Sequence, residues 1–225
     1  MVNNDKVFQK LIDQGYEFKF NQYIKDGYDI FKREMGNFIG FYFVIFSVFF
    51  VISLVLEKTS GLVTNLVQPA LTAGALLVAN DILLNKKPAF SRFFDGFKFF
   101  LPLFLLGLVS SVLIVIGLLF LIVPGIYLGV SYSFANMFVV FFGYDFWTSM
   151  ELSRKIITKK WWEFFGFFLT ITLINIGGIL ACGVGIVFTA PMTLCMTYCA
   201  FEDIVGGAIR EHTNLEQKQT HTTDV

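Results

Sequence analysis

The sequence predicts an all-α polytopic membrane protein, with six transmembrane helices arranged as three hairpins, each preceded by an amphipathic interfacial helix. Three observations predict it. Residues 99–144 contain no charged side chain across 46 positions, and residues 164–201 contain none across 38. Hydrophobic residues make up 56% of the chain, with 29 Phe and a mean hydropathy of +0.68, more than a soluble domain of this size hides in its core. The runs are apolar on every face rather than at alternate positions, which excludes a transmembrane β-barrel.

Residues 1–36 form a charged segment with six basic and six acidic side chains. Val7, Phe8, Leu11 and Ile12 mark a short amphipathic helix, and Ile24, Tyr28, Phe31 and Met35 mark a second that runs up to the membrane. These residues contain no early apolar stretch, so no cleavable signal peptide is expected, and the first span serves as the insertion signal. The transmembrane domain covers 37–206. Its first span is Met35–Leu56, the polar turn Glu57–Gly61 follows, and Leu62–Leu84 returns to Asn85-Lys86-Lys87-Pro88. Phe90, Phe93, Phe94 and Phe97 then line one face of an interfacial helix over 89–97.

The first long run must fold back, because 46 residues of helix would extend roughly 69 Å, against a hydrocarbon core of ~30 Å. Val123-Pro124-Gly125 marks the place, since proline fits the first turn of a new helix but not an interior. Spans three and four are therefore Lys98–Leu121 and Pro124–Phe142. A basic amphipathic stretch from Asp145 to Glu163 carries Trp161-Trp162, which suits a membrane boundary. The second run turns near Gly185–Pro191 into spans five and six, and residues 207–225 form a polar, disordered tail.

Sixteen of the seventeen Lys and Arg fall on one side of this topology. The positive-inside rule places that side, and both termini, in the cytoplasm of a cell (plasma or inner) membrane. An internal repeat also emerges. Pro69, Pro124 and Pro191 each lie early in a return helix, and twelve residues later stand Asp81, Asn136 and Asp203. The chain reads as three parallel copies of one unit related by an axis along the membrane normal.

Asp81, Asn136 and Asp203 are the candidate intramembrane polar site. Acids in a membrane helix are costly and seek cations or amides, so they are expected to anchor interfacial helices through Arg92, Arg154, Lys155 or nearby amides. Ion or proton handling is the alternative role. Gly125, Gly129 and Ser133, and likewise Gly177, Ala181 and Gly185, stand four apart and predict close helix packing. Arg92, Arg154, Lys155, Lys159 and Lys160 form a basic interface toward lipid.

No catalytic, metal or cofactor signature accompanies these features. The two histidines, His212 and His221, lie in the tail, and Cys182, Cys195 and Cys199 lie in apolar spans without CxxC spacing, as buried free thiols do. There is no P-loop or dinucleotide motif, and the lysines sit beside membrane helices rather than in a nucleic-acid groove. Tyr28–Lys32, Leu121–Tyr127, Met150–Lys155 and the closing Pro191 turn resemble a bacterial group of six-span proteins similar to the membrane domain of glycerophosphoryl diester phosphodiesterases. The soluble catalytic domain of those enzymes has no counterpart in these residues, so the resemblance does not imply their activity. The reading is a non-enzymatic membrane module, without cofactor, whose basic face engages anionic lipids or a protein partner, with homo-oligomers possible and nucleic acid excluded. The alternative is a small transporter or channel using Asp81 and Asp203 near an axial cavity.

Overall fold

In the computed structural model, which describes residues 4–55, 60–181 and 183–210, the apolar runs coil into helices. Hydrocarbon offers no partner for a free N–H or C=O, so a spanning segment must satisfy its own backbone. Two amphipathic helices, α1 (Asn4–Gln14) and α2 (Phe20–Arg33), lead into the first hairpin, α3 (Met35–Val55) and α4 (Ser60–Leu83). A 3-10 helix (Phe90–Phe99) precedes the second hairpin. Its outgoing arm is α5 (Phe100–Phe120), and its return arm is α6 (Ile122–Ser131) followed by α7 (Ala135–Phe142). Helix α8 (Phe146–Thr158) precedes the third hairpin, α9 (Trp161–Leu180) and α10 (Ile186–Phe201), which continues through a π-helical turn, Glu202–Gly206. Six stretches are long and apolar enough to cross a membrane, and the described residues contain no strand.

Local chemistry places the ends. Asn85 takes the left-handed conformation (φ 56°) after α4, its N–H bonding Ile82 O at 2.9 Å while the Lys86 N–H bonds Asp81 O at 2.8 Å. That pair satisfies the last carbonyls of the helix, and Pro88 prevents its resumption. Gly143 (φ 67°) ends α7, and two residues later the Asp145 carboxylate accepts the N–H groups of Trp147 and Thr148, both at 3.0 Å, to start α8. The second hairpin turns on one extended residue, Leu121, so Pro124 is the third residue of α6, where its missing N–H has no intrahelical acceptor to lose. The third hairpin turns between Leu180 and Ile186, earlier than the expected Gly185–Pro191, and Pro191 lies inside the second turn of α10.

The return arms occupy the centre and the outgoing arms the periphery. In Leu66–Leu83 61% of residues are buried, against 11% in Met35–Val55. Each outgoing arm packs between its own return arm and that of the preceding hairpin: α3 between α4 and α10, α5 between α6–α7 and α4, α9 between α10 and α6. The amphipathic helices follow the same rule. Helix α2 lies on α10, the 3-10 helix on α4, and α8 on α6–α7. The last hairpin thus meets the helix that precedes the first, and the three units close a ring. Helix α1 packs outside it on α8, and its Phe8 meets the edges of Phe138 and Phe142 of α7 at 5.6 and 5.5 Å.

The two ends of the bundle differ. The base, where the amphipathic helices lie, holds a dense aromatic core of Phe38, Phe41, Phe93, Phe134, Phe138, Phe164 and Phe201. Toward the hairpin tips exposure rises: in the outer half of α3 only the face of Ile45, Phe49 and Ile52 stays partly covered, and Leu119 and Phe120 reach 80% and 82%.

Two sequence expectations need correction here. The helix persists over residues 207–210, inside the segment expected to be disordered, because Ala208 and Ile209 pack against the core; residues 211–225, with both histidines, lie outside the described part, as do Cys182 and residues 56–59. Of the predicted small-residue contacts, Gly125 and Gly185 make theirs: a Cβ would stand 2.4 Å from Leu118 Cγ and 2.5 Å from Gly178 O respectively. Gly129 and Gly177 instead face open space, Ala181 is exposed, and the Ser133 hydroxyl turns back onto its own Val130 carbonyl. The close approaches belong to Gly117 and Gly178, each meeting its hairpin partner glycine. Consecutive helix residues point 100° apart, so a spacing of four is shared by files on several faces and does not say which one meets a neighbour.

Candidate functional site

The polar groups of the base are arranged by how closely the amphipathic helices cross the return arms. Gly27 of α2 crosses α10 so tightly that a Cβ would stand 2.4 Å from Met196 Cα. Gly96 of the 3-10 helix crosses α4 with 2.0 Å between its would-be Cβ and Ala70 O, and Gly74 faces Phe93 O at 1.6 Å in the same sense. Met196 and Gly74 are each five residues beyond the proline of their return arm. The two crossings are equivalent, and only glycine permits either.

Four residues before each crossing glycine stands a side chain that reaches the acid. Tyr23 donates its hydroxyl hydrogen to Asp203 Oδ2 at 2.9 Å, and Lys19 pairs with Asp203 Oδ1 at 3.1 Å. Arg92 donates from Nε to Asp81 Oδ2 at 2.8 Å and from Nη1 to Asp95 Oδ2 at 2.9 Å, and Asp95 also holds Lys98 at 2.7 Å. Asp81 is the more enclosed acid, its side chain 13% exposed against 30% for Asp203. Burial pushes the Tyr23 phenol up and the Asp203 carboxylate raises it further, so Tyr23 remains a protonated donor.

The third crossing is made differently. The Ser153 hydroxyl of α8 donates to Ser131 O at 2.6 Å and accepts the Phe134 N–H at 3.1 Å. Those are groups that an unbroken helix would bond to itself, so Ser153 stands in the backbone ladder and separates α6 from α7. Tyr16 ties the α1–α2 linker to the same region, its hydroxyl donating to Ile156 O at 2.9 Å, and burial pushes that phenol up as well. Beyond the break Asn136 faces a cavity with Thr72 and Asn175 and meets no cation. The three residues at equal spacing therefore do not form one site: Asp81 and Asp203 sit in separate ion pairs at the base, and Asn136 lines an intramembrane cavity.

The basic residues singled out from the sequence are mostly engaged. Arg92 bridges two aspartates, and Arg154 forms a two-point pair with Glu151 (2.9 and 2.8 Å) that Lys155 joins at 3.4 Å. Lys160 meets Glu163 at 3.2 Å, which leaves Lys159 alone among the five without an ion pair to a described residue. A different cluster is open. Arg33 Nη1 donates to Asn85 Oδ1 at 3.3 Å, which brings the end of α2 to the loop after α4. Lys32, Arg33, Lys86 and Lys87 are all exposed there and make no ion pair with a described residue. Beside them Asp26, Asp29 and Glu202 face a shallow pocket of about 250 Å³ with Arg33 and Arg210, the latter paired with Glu202.

No protein-family model, curated protein or solved structure matches the sequence. The site is read from its own geometry. Sequence reasoning missed Lys19, Tyr23 and Ser153. A signal existed for Tyr23, which stands four residues before a glycine as Arg92 does; Ser153 carried none, because one serine in an amphipathic helix looks like any other.

Proposed function

We propose that this chain is a non-enzymatic membrane module that binds anionic lipid headgroups at its base, through the cluster Lys32, Arg33, Lys86 and Lys87. The observation that carries the proposal is the gathering of these four exposed cations by the Arg33–Asn85 hydrogen bond, none of them in an ion pair with a described residue even though Asp26 and Asp29 stand beside Arg33. Juxtamembrane lysines and arginines beside apolar spans face the headgroup layer, and each contributes about 1 kcal/mol toward an anionic surface. The orientation proposed is the positive-inside one, with this base and both termini in the cytoplasm. The ion pairs of Asp81 and Asp203 support a structural role for those acids rather than the transport alternative, because each carboxylate already holds a cation that clamps an amphipathic helix to a return arm. The parallel crossings at Gly27 and Gly96 support an internal repeat, which is proposed as the origin of the ring.

Native mass spectrometry of the purified protein in mixed phosphatidylglycerol and phosphatidylcholine tests the reading. The wild type retains phosphatidylglycerol in preference, and the Lys86→Gln/Lys87→Gln variant loses about 2 kcal/mol of that preference, roughly thirtyfold, with the fold intact. Equal retention of the two lipids by the wild type, or an unchanged preference in the variant, refutes it.

A further inference from the structure

Three cavities meet at Thr72, halfway along α4. The first, about 300 Å³, lies between α4, α7, α9 and α10 and is lined by Tyr42, Asn136 and Asn175. The second, about 280 Å³, runs between α3 and α4 along Ile45, Phe46, Phe49 and Leu71. The third, about 660 Å³, runs between α4 and α5 along Leu66, Phe104 and Leu108. Gln68 lines the second and third, Asn136 the first and third, Tyr42 the first and second, and Thr72 all three. The result is one polar hub with two apolar clefts leading from it.

The hub is unfinished as a hydrogen-bonding system. Asn175 Oδ1 is buried and has no partner, and the side chains of Tyr42, Gln68, Thr72 and Asn136 make no hydrogen bond to a described residue. Thr72 lies roughly 18 Å from either end of α4, hence near mid-membrane, where unpaired amides and hydroxyls are costly. Their spare donors and acceptors call for a polar group from outside. Among the described residues no charged side chain lines any of the three cavities, so an ionised headgroup would find no counter-charge from them at that depth. The clefts run toward the tips, where the outgoing arms are most exposed to the surrounding hydrocarbon.

We propose that the hub and its clefts bind a neutral two-chain glycerolipid of the diacylglycerol class, its hydroxyl and ester groups on the hub amides and one acyl chain in each cleft. This site is separate from the anionic surface at the base and uses none of its residues. It contains Asn136, the repeat position where the acid of the other two units is absent.

Photolabelling in phosphatidylcholine vesicles tests the proposal, with diazirine-bearing diacylglycerol compared with phosphatidic acid carrying the same chains. Diacylglycerol labels residues 64–76 and 104–111, and excess unlabelled diacylglycerol suppresses that labelling. Gly107 has only Pro69 Cγ, at 3.9 Å, near the place of its missing Cβ, so Gly107→Leu fills the larger cleft and lowers labelling at least fivefold without unfolding the bundle. Asn136→Leu lowers labelling likewise while leaving the melting temperature unchanged or raised, which a merely structural asparagine would not do. Equal labelling by phosphatidic acid, labelling confined to the exposed turn at Leu119–Val123, insensitivity to the competitor, or undiminished labelling of a folded Gly107→Leu protein each overturns it.

Discussion

Replacing Gly96 with alanine puts the ring geometry to its most direct test. The added methyl would begin 2.0 Å from Ala70 O and 2.4 Å from Gly74 N, both backbone atoms that no rotamer change can move aside. Ordinary contact needs ~3.5 Å, so the 3-10 helix and α4 must part by roughly 1.5 Å. That separation stretches the 2.8 Å Arg92–Asp81 pair past hydrogen-bond range and loosens the stacked Phe41–Phe93 rings, 4.2 Å apart. Overpacking of this kind costs about 1–3 kcal/mol, and loss of the partly exposed ion pair adds up to about 1 kcal/mol. At roughly 2–4 °C per kcal/mol for a chain of this size, the melting temperature in detergent falls by about 2–16 °C. Gly129→Ala is the matched control. Its methyl meets open space, and alanine gains about 0.5–1 kcal/mol over glycine in a helix, so that variant melts at or slightly above the wild type. Fluorescence-monitored melting of both variants decides the matter. A Gly96→Ala protein that melts with the wild type, or a Gly129→Ala protein that falls as far, would show that the crossing is not as close as described.

Two further outcomes follow from other contacts. Ser153→Ala leaves Ser131 O and the Phe134 N–H without their shared partner inside the protein, which costs about 1–3 kcal/mol; Ser153→Thr keeps the hydroxyl and retains more stability, and identical melting of Ala and Thr variants would remove the hydroxyl from the account. The Arg154 hydrogen bonds hold the Glu151 carboxyl below the ordinary glutamate value, with Lys155 adding to the effect. A depressed folded value means that the pair stabilises fully above the ordinary value of 4.5 and is lost as the pH falls through the lower, folded one. The melting difference between wild type and Glu151→Gln is therefore expected to be present at neutral pH and to shrink below about pH 4, and a difference independent of pH would contradict the pairing.

Much of the architecture was legible because membrane insertion imposes coarse rules. Charge-free runs of 46 and 38 residues could only be paired spans, and Pro124, Asn85–Pro88 and Asp145 mark ends by backbone chemistry that acts within a few residues. Ion pairing of Asp81 and Asp203 was legible as a need, since an acid near an apolar helix end requires a cation, and Arg92 was among the candidates. The identity of the other partners was not. Lys19 reaches Asp203 across 184 positions, and nothing local in the sequence reports that α2 lies on the last hairpin rather than on its own. The small-residue files failed for a related reason: Gly177 and Gly178 are adjacent and equally small, yet only the second faces α10. Mean hydropathy held a usable clue, because the central return arms (1.4, 1.5 and 1.2) are less apolar than the outgoing arms (2.6, 2.9 and 1.7) that surround them.

Closure of the ring by α2 on α10 has a consequence for how the protein is made. A chain leaving the ribosome exposes Gly27, Tyr23 and Lys19 long before Met196 and Asp203 exist. The first helix pair must therefore wait beside the nascent bundle with its tightest contact unmade while two complete hairpins enter the membrane. The other two crossings can form as soon as their helices emerge, each on an arm already inserted. Assembly thus has a fixed last step, and a chain stalled or cleaved before α10 would present an unclosed gap flanked by a glycine-notched helix. Such a gap is a feature by which membrane quality control could tell an unfinished copy from a finished one.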